Sequence, residues 1–183
     1  MFFEIKRTAL LLCDGNSRDE IVRKSMDENI YQLETPRRRR EVPVRMLKRL
    51  SAIDQPLVEV IAHGSDAEAK LMAFLALAKA DRLLFEYMHE VYADNFRTGI
   101  GEITDKDFLE FIERKAQNSA NVAAWSQNTL SNVRSGIKSS VCDAGLAKRT
   151  GGSLLIRKPI VDGELRKLFC DTDSAYLKAM LLL

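Results

Sequence analysis

The spacing of apolar residues predicts a bundle of helices in the first half of the chain. Residues 4–13 form a short apolar run, and Ser17 with Glu20 has the spacing of a capping box that begins a helix reaching about residue 31. A second capping box, Ser65 with Glu68, begins the longest predicted helix, which extends to about residue 95. Because this helix is apolar over much of its circumference, we expect it at the centre of the bundle.

A helix of unusual charge is predicted from the sequence TPRRRREVPVRMLKRL, residues 35–50. Thr35 is a suitable N-cap, and Pro36 follows at the first helical position, where proline is tolerated. Pro43 is expected to kink or restart the helix. Its buried stripe is predicted to consist of Val44, Leu47 and Leu50.

The sequence RTGIGE, residues 97–102, contains two glycines and is the best linker candidate in the chain. Glycine pairs of this kind interrupt helices because they add backbone freedom without adding packing surface. We therefore predict two domains, one of residues 1–98 and one of residues 102–183.

The second of these domains has a different order of predicted elements. A helix follows Thr104, a polar break follows the helix, and a long helix then ends at Gly145. Residues 151–165 predict a short hairpin, in which LLI forms a strand before a turn. The predicted fold is therefore mostly α, with an N-terminal helical bundle and a C-terminal winged helix-turn-helix-like domain that includes a short β-hairpin.

Charge is segregated along the chain, although its net charge is only +2. Residues 35–50 contain seven cations and a single acid, and residues 126–158 contain six cations and a single acid. Residues 81–113, by contrast, contain nine acids and three cations. Two basic regions that flank an acidic middle indicate a polyanionic partner on one surface rather than general adhesion.

The long helix before Gly145 is predicted to contact nucleic acid with its exposed side. Its amides and hydroxyls can reach base edges or phosphates, and the cations further along can pair with phosphates of the backbone, as can those of the wing. The alternative is an ordinary solvated helix, since helix-turn-helix patterns produce many false positives. The candidate contacts are Gln127, Asn128, Ser131, Arg134, Lys138, Lys148, Arg149, Arg157 and Lys158.

The basic run after Thr35 is a second candidate surface for a polyanion. Four cations at a helix N-terminus oppose the helix macrodipole, and a bound polyanion would offset that cost. Pairing of the same arginines with acids of the helix 81–94 is the competing explanation, and it stays open. The candidate contacts are Arg37, Arg38, Arg39, Arg40, Arg45, Lys48 and Arg49.

The sequence offers little chemistry for catalysis. His89-Glu90 is not an H-E-x-x-H motif, because Ala93 occupies the position of the second histidine. The three cysteines are expected to be buried free thiols, and Asp105 and Asp107 are interpreted as acids that complement a helix dipole. We therefore expect a protein that is not an enzyme, with no catalytic residue, no metal and no cofactor.

Membrane attachment is not expected either. The chain begins without the pattern of a secretory signal, and its longest central apolar run, residues 71–78, is far shorter than the roughly 20 residues that a bilayer requires. The sequence therefore predicts a soluble, cytoplasmic protein.

The order of these segments resembles the BrxA family, the small accessory component of BREX phage-defence systems. The resemblance rests on DENI followed by residues 35–50, on the long helix AKLMAFLALAKADRLLFEYMHEVY, and on WSQNTLSNVRSGIKSSVCDAGL before a basic hairpin. It extends over nearly the whole chain. It implies a non-enzymatic accessory protein that binds double-stranded DNA and works beside other BREX components, among them a methyltransferase and ATPases.

Three classes of function stay open at this point. The first is a DNA-binding accessory protein, the second is an adaptor whose basic patches bind acidic surfaces of a larger complex, and the third is an RNA-binding helical protein. Salt-sensitive binding to duplex DNA separates the first class from the second, and competition by RNA separates it from the third.

Overall fold

The computed structural model describes residues 1–170 and 173–182, and the chain forms two compact units, Met1–Ala80 and Asp81–Leu183. Both units are mainly helical, and a small three-stranded antiparallel sheet belongs to the second. The mostly α class predicted from the sequence is therefore confirmed. Among the described residues, no helix has the length and apolar character needed to cross a bilayer.

The first unit is helical throughout, and its helices begin where the capping boxes predict. Ser17 and Glu20 form the first box, in which the Ser17 N–H donates to Glu20 Oε2 at 2.7 Å, and Ser65 and Glu68 form the second. Helix α2 ends at Asp27, a few residues earlier than predicted. The helices are α1 Phe2–Cys13, α2 Arg18–Asp27, α3 Pro36–Leu50, α4 Gln55–His63 and α5 Asp66–Ala80.

Of the two predicted effects of Pro43, a restart is wrong, because α3 continues through this residue from Pro36 to Leu50. A proline at this position has no N–H to donate to the carbonyl of Arg39, four residues earlier. The fully buried Ser25 of α2 supplies the missing donor, because its hydroxyl donates to Arg39 O at 2.6 Å. A side chain from a neighbouring helix thus satisfies the carbonyl that the proline leaves without a donor.

The buried stripe of α3 also differs from the prediction. Val44 is 54% exposed, so its assignment to the stripe is wrong. At about 100° per residue, Val44 lies roughly 120° around the helix from the middle of the buried side. The residues that α3 buries are Val42, Pro43, Met46, Leu47 and Leu50.

The second unit begins with a break that the sequence analysis missed. The predicted long helix is interrupted at Asp81, whose backbone is extended and whose side chain accepts a hydrogen bond from the Leu84 N–H at 3.2 Å. Asp81 therefore acts as the N-cap of a new helix. The elements that follow are α6 Arg82–Tyr87, a π-helical segment Met88–Tyr92, α7 Ala93–Arg97, β1 Glu102–Ile103, α8 Asp105–Gln117, α9 Ala120–Ala123, α10 Gln127–Asp143, β2 Ala147–Thr150, β3 Ser153–Ile156, α11 Gly163–Lys167 and α12 Ser174–Ala179.

The two helices predicted on either side of the polar break are confirmed as α8 and α10. Thr104 and Asp107 form a capping box at the start of α8, and the Ser126 hydroxyl accepts from the Thr129 N–H at the start of α10. Gly145 follows the end of α10 with a φ of 76°, a conformation that glycine adopts without strain. The polar break itself contains the short helix α9.

The sheet has the strand order β1-β3-β2, and all its neighbours are antiparallel. The hairpin of β2 and β3 turns at Gly151 and Gly152, so it begins earlier than predicted, and LLI lies in its second strand rather than before the turn. Strand β1, where Glu102 pairs with Leu155, was not predicted, because its two residues lie at the end of the glycine-rich stretch.

The predicted linker at 97–102 falls inside the second compact unit. The Asn95 side-chain amide donates to Glu102 O at 2.9 Å, and the Ile156 N–H donates to Gly101 O at 2.8 Å. These bonds join the segment to the preceding helix and to β3. The compact units consequently divide the chain at a different place from the predicted domains.

Tyr92 connects the base of the β2–β3 hairpin to the π-helical segment. Its ring is fully buried, and its hydroxyl lies 2.8 Å from Leu146 O, which precedes β2, and 2.8 Å from Arg157 O, which follows β3. Burial raises the pKa of the phenol, so the hydroxyl keeps its proton and can donate it to one of the two carbonyls. The hairpin is therefore held to the π-helical segment at both of its ends.

Candidate nucleic-acid interface

The exposed side of α3 is basic, as the sequence predicts. Arg39 is half-buried, and its Nε donates to Leu33 O at 3.1 Å, so part of its guanidinium supports the chain that leads into α3. Arg49 is half-buried as well, whereas the remaining candidate cations are exposed: Arg37, Arg38, Arg40, Arg45 and Lys48.

Arg37 is held by the single acid of this helix. Its Nε donates to Glu41 Oε1 at 2.7 Å, and the side chain of Arg37 is nevertheless 85% exposed. The hydrogen bond from Arg37 lowers the pKa of Glu41, so the carboxylate is charged at neutral pH. Glu41 thus orients one guanidinium while the neighbouring cations Arg38 and Arg40 remain exposed to solvent.

The exposed side of α10 is polar and uncharged over most of its length. Ile137 and Val141 are buried on its inner side, and Leu130 and Val133 are half-buried. The structure places the predicted contacts Gln127, Asn128 and Ser131 together on the outer side. The other exposed residues of this side before Asp143 are Asn132, Ser135, Gly136 and Ser139.

Arg134 and Lys138, by contrast, are engaged inside the second unit. Arg134 Nη1 lies 3.1 Å and Lys138 Nζ 2.5 Å from the carboxylate of Asp105, and Lys138 also donates to Gly152 O at 2.9 Å. The side chain of Lys138 is only 15% exposed. These contacts join the start of α8, the middle of α10 and the turn of the hairpin. Arg134 and Lys138 therefore have a structural role.

Asp105 lies in the first turn of α8, as the interpretation of an acid complementing the helix dipole requires, but its pairing with Arg134 and Lys138 was not predicted. Its hydrogen bond from Lys138 lowers the pKa of its carboxyl, and the charge of Arg134 acts in the same direction. Asp107, the other acid of the pair, belongs to the capping box with Thr104. No local pattern shows this difference, because the cations lie far along the chain from Asp105.

The four cations of the hairpin region are exposed, as predicted. Lys148 faces the same side of the sheet as Leu155, since the two residues are directly opposite each other, and Arg149 is opposite Leu154. Among residues 1–170 and 173–182, no ion pair forms with any of these cations. The wing cations of the prediction, Lys148, Arg149, Arg157 and Lys158, are thus exposed and have no ion pair within the part of the chain that the structure describes.

The acidic helix 81–94 finds cations within its own unit. Lys115 Nζ forms ion pairs with Glu86, at 2.8 Å, and with Glu90, while Arg114 lies 3.7 Å from Glu90. The hydrogen bond from Lys115 lowers the pKa of Glu86, and a second one from Arg82 adds to it. Glu86 and Glu90 of this helix therefore have cationic partners within the second unit.

Other chemistry in the described residues is sparse. Among them, no three His, Cys, Asp or Glu side chains are close enough to share a metal ion. Cys13 and Cys142 are half-buried and Cys170 is exposed, whereas all three were expected to be buried.

The fold is shared with a solved structure of a bacterial protein. The crystal structure of an uncharacterized protein from Magnetospirillum magneticum superposes with a TM-score of 0.80 at 20% identity, over 98% of this chain and 92% of that one. The shared fold defines a class of mostly helical proteins with a small antiparallel sheet near the C-terminus.

Sequence similarity identifies the family. The family model for BrxA matches residues 1–172, and the BREX protein BrxA of Bacillus cereus (strain H3081.97) is 33% identical over 162 residues, which are 88% of this chain and 81% of the relative. The chain therefore belongs to the BrxA family, a component of BREX phage-defence systems, and the resemblance noted from the sequence is confirmed.

Proposed function

We propose that this protein is a non-enzymatic accessory component that binds duplex DNA, with the exposed sides of α10, the β2–β3 hairpin and α3 as its contact surfaces. The proposal rests mainly on the presence of an uncharged polar helix surface together with four exposed wing cations that form no ion pair within the described residues. A surface of this composition suits base edges and phosphates, because amides and hydroxyls read bases and cations neutralise the backbone. A cytoplasmic location and association with other BREX components belong to the same proposal.

The order of elements supports a winged helix-turn-helix interpretation. Strand β1, helices α8 and α10 and the hairpin of β2 and β3 follow one another, and β1 pairs with β3. In the helix-turn-helix motif the second helix enters the major groove, and α10 is the helix in that position. The connection between α8 and α10 contains α9 and is longer than the three or four residues of the simple motif.

A titration of labelled duplex DNA, followed by fluorescence anisotropy at several salt concentrations, tests the proposal. The double variant Lys148→Ala/Arg149→Ala is compared with the native protein. Each phosphate contact contributes about −0.9 to the slope of log K against log salt, so loss of both should make the slope shallower by about 2. Unchanged affinity and slope in the variant would exclude the wing from the contact surface.

A matched control is Lys167→Ala, which removes an exposed cation of α11 that pairs with Glu164 at 2.6 Å. This variant is expected to bind DNA as the native protein does. Substitutions of Arg134 or Lys138 are less informative, because they would also release Asp105 and the turn of the hairpin. Competition by folded RNA in the same titration separates DNA binding from RNA binding.

One observation favours the adaptor as a second candidate. Leu155 is 47% exposed and Ile160 is fully exposed, and both lie close in sequence to the wing cations Arg157 and Lys158. Apolar side chains among cations also suit an acidic protein surface. If duplex DNA does not bind at any salt concentration, the adaptor is the better interpretation of this surface.

A further inference from the structure

The exposed side of α3 has an ordered layout of charge. At about 100° per residue, Arg37, Glu41, Val44 and Lys48 fall along a single line, which we name the crest. Arg40 lies on one flank of the crest, and Arg38 and Arg45 lie on the other. The helix is 15 residues long, or about 22 Å, and the crest extends over most of it.

Cations on both flanks match two phosphate backbones rather than one. The major groove of B-DNA is about 12 Å wide, admits an α-helix, and has a phosphate backbone along each edge. A helix that lay along a single backbone would need its cations on the crest, but the middle of the crest is Glu41 and Val44, an acid and an exposed apolar side chain. Phosphates would repel the carboxylate and would offer the apolar side chain no favourable contact. Base edges, by contrast, include partners for both types of side chain.

The contact between Arg37 and Glu41 leaves the two terminal nitrogens of the guanidinium available to donate hydrogen bonds to a base. Arg37 uses its Nε for Glu41, and in the described residues its two terminal nitrogens make no hydrogen bond. Two parallel N–H donors suit the O6 and N7 atoms of guanine, which is the commonest specific contact between arginine and DNA. The ion pair with the carboxylate favours this orientation of the side chain, so less conformational entropy is lost on binding.

We propose that α3 enters the major groove and that Arg37, held by Glu41, reads guanine there. Val44, two turns further along the crest, then faces the groove floor, where a thymine methyl is its apolar partner. The inference rests on the proposed function, because it concerns how the protein selects a sequence within the duplex DNA it binds. Arg37 is the residue that determines specificity, and Glu41 is a positioning residue.

Selection from a pool of random duplexes, followed by sequencing of the bound fraction, tests the inference. The native protein should enrich a short motif that contains a guanine. Arg37→Lys keeps the charge but loses the planar pair of donors, so the preference for guanine at one position should fall about tenfold. Glu41→Gln should lower the preference at the same position, because the guanidinium is no longer held by a carboxylate.

The matched control is Arg82→Lys. Arg82 pairs with Glu86 at 2.6 Å with the same spacing of four residues and is 91% exposed, but it lies on an acidic helix. This variant should enrich the motif of the native protein. Circular dichroism on each variant verifies that its helices are intact.

Two results would overturn the inference while leaving the proposed function in place. One is duplex binding by the native protein without any enriched motif, and the other is an identical motif for the native protein and Arg37→Lys. Failure of the native protein to bind the unselected duplex pool would instead refute the proposed function, and the inference with it.

Discussion

The hydrogen bond between the Ser25 hydroxyl and Arg39 O leads to a specific prediction about the free energy of unfolding. Pro43 leaves the Arg39 carbonyl without its helical donor, and the buried Ser25 hydroxyl at 2.6 Å takes that place. Ser25→Ala removes the donor without adding bulk. Leaving a buried polar group unsatisfied costs about 1–3 kcal/mol, and the better helix propensity of alanine in α2 returns about 0.5 kcal/mol. We expect a net loss of about 0.5–2.5 kcal/mol in the free energy of unfolding.

A double-mutant cycle isolates this bond from the change in helix propensity. In a Pro43→Ala background the N–H of residue 43 can donate to Arg39 O, so the carbonyl keeps a partner when Ser25 is replaced. The propensity gain is the same in both backgrounds and cancels. Ser25→Ala should therefore cost at least about 1 kcal/mol less in the Pro43→Ala background than in the native one.

Urea denaturation followed by far-UV circular dichroism measures the four proteins of the cycle. Fluorescence of Trp125, the single tryptophan, reports on the second unit and provides a separate signal for it. Equal costs of Ser25→Ala in the two backgrounds would refute the reasoning, since the serine would then stabilise the protein by something other than the carbonyl that the proline exposes.

Three further predictions concern the second unit. Tyr92→Phe removes the hydroxyl between Leu146 O and Arg157 O and should cost about 1–3 kcal/mol in thermal or urea unfolding, whereas no loss would mean that the base of the hairpin does not depend on it. Thr104→Ala removes the N-cap of α8 and should cost about 1 kcal/mol in the same measurement; a cost near zero would exclude a stabilising cap. The pKa of Asp105 is lowered in the folded protein, so its contribution to stability is present above its ordinary value and is lost as the pH falls through the lowered one. Asp105→Asn should therefore weaken the dependence of stability on pH in the acid range, and an unchanged dependence would contradict the cluster with Arg134 and Lys138.

The elements that sequence reasoning predicted well are those whose signals are local. Ser17, Thr35, Ser65 and Thr104 each begin a helix, because an N-cap side chain bonds to backbone only two or three residues away. Gly145 ends α10 for an equally local reason, since glycine adopts a positive φ without strain. Such features require no knowledge of the tertiary fold.

The features that were missed depend on partners distant in sequence. Ser25 of another helix donates to Arg39 O, the carbonyl that Pro43 leaves without a helical donor, and a propensity argument includes no such donor. The segment taken as a linker pairs with β3, whose residues lie some fifty positions later in the chain. Strand β1 is too short for any periodicity to show.

The candidate site shows the same division. All four cations of the wing and five of the seven cations of α3 are exposed, as the charge pattern alone predicts. The charge pattern does not show that Asp105 binds Arg134 and Lys138, because these residues are 29 and 33 positions apart from it. The prediction that all cations of α10 face DNA therefore overlooked an acid from α8.

The most direct measurement for the account is the affinity of the native protein for duplex DNA at several salt concentrations. If the exposed cations of α3 and the wing neutralise about six phosphates, the plot of log K against log salt should have a slope of about −5. Absence of binding at low salt, or binding whose affinity does not change with salt, would contradict the assignment of these surfaces to DNA.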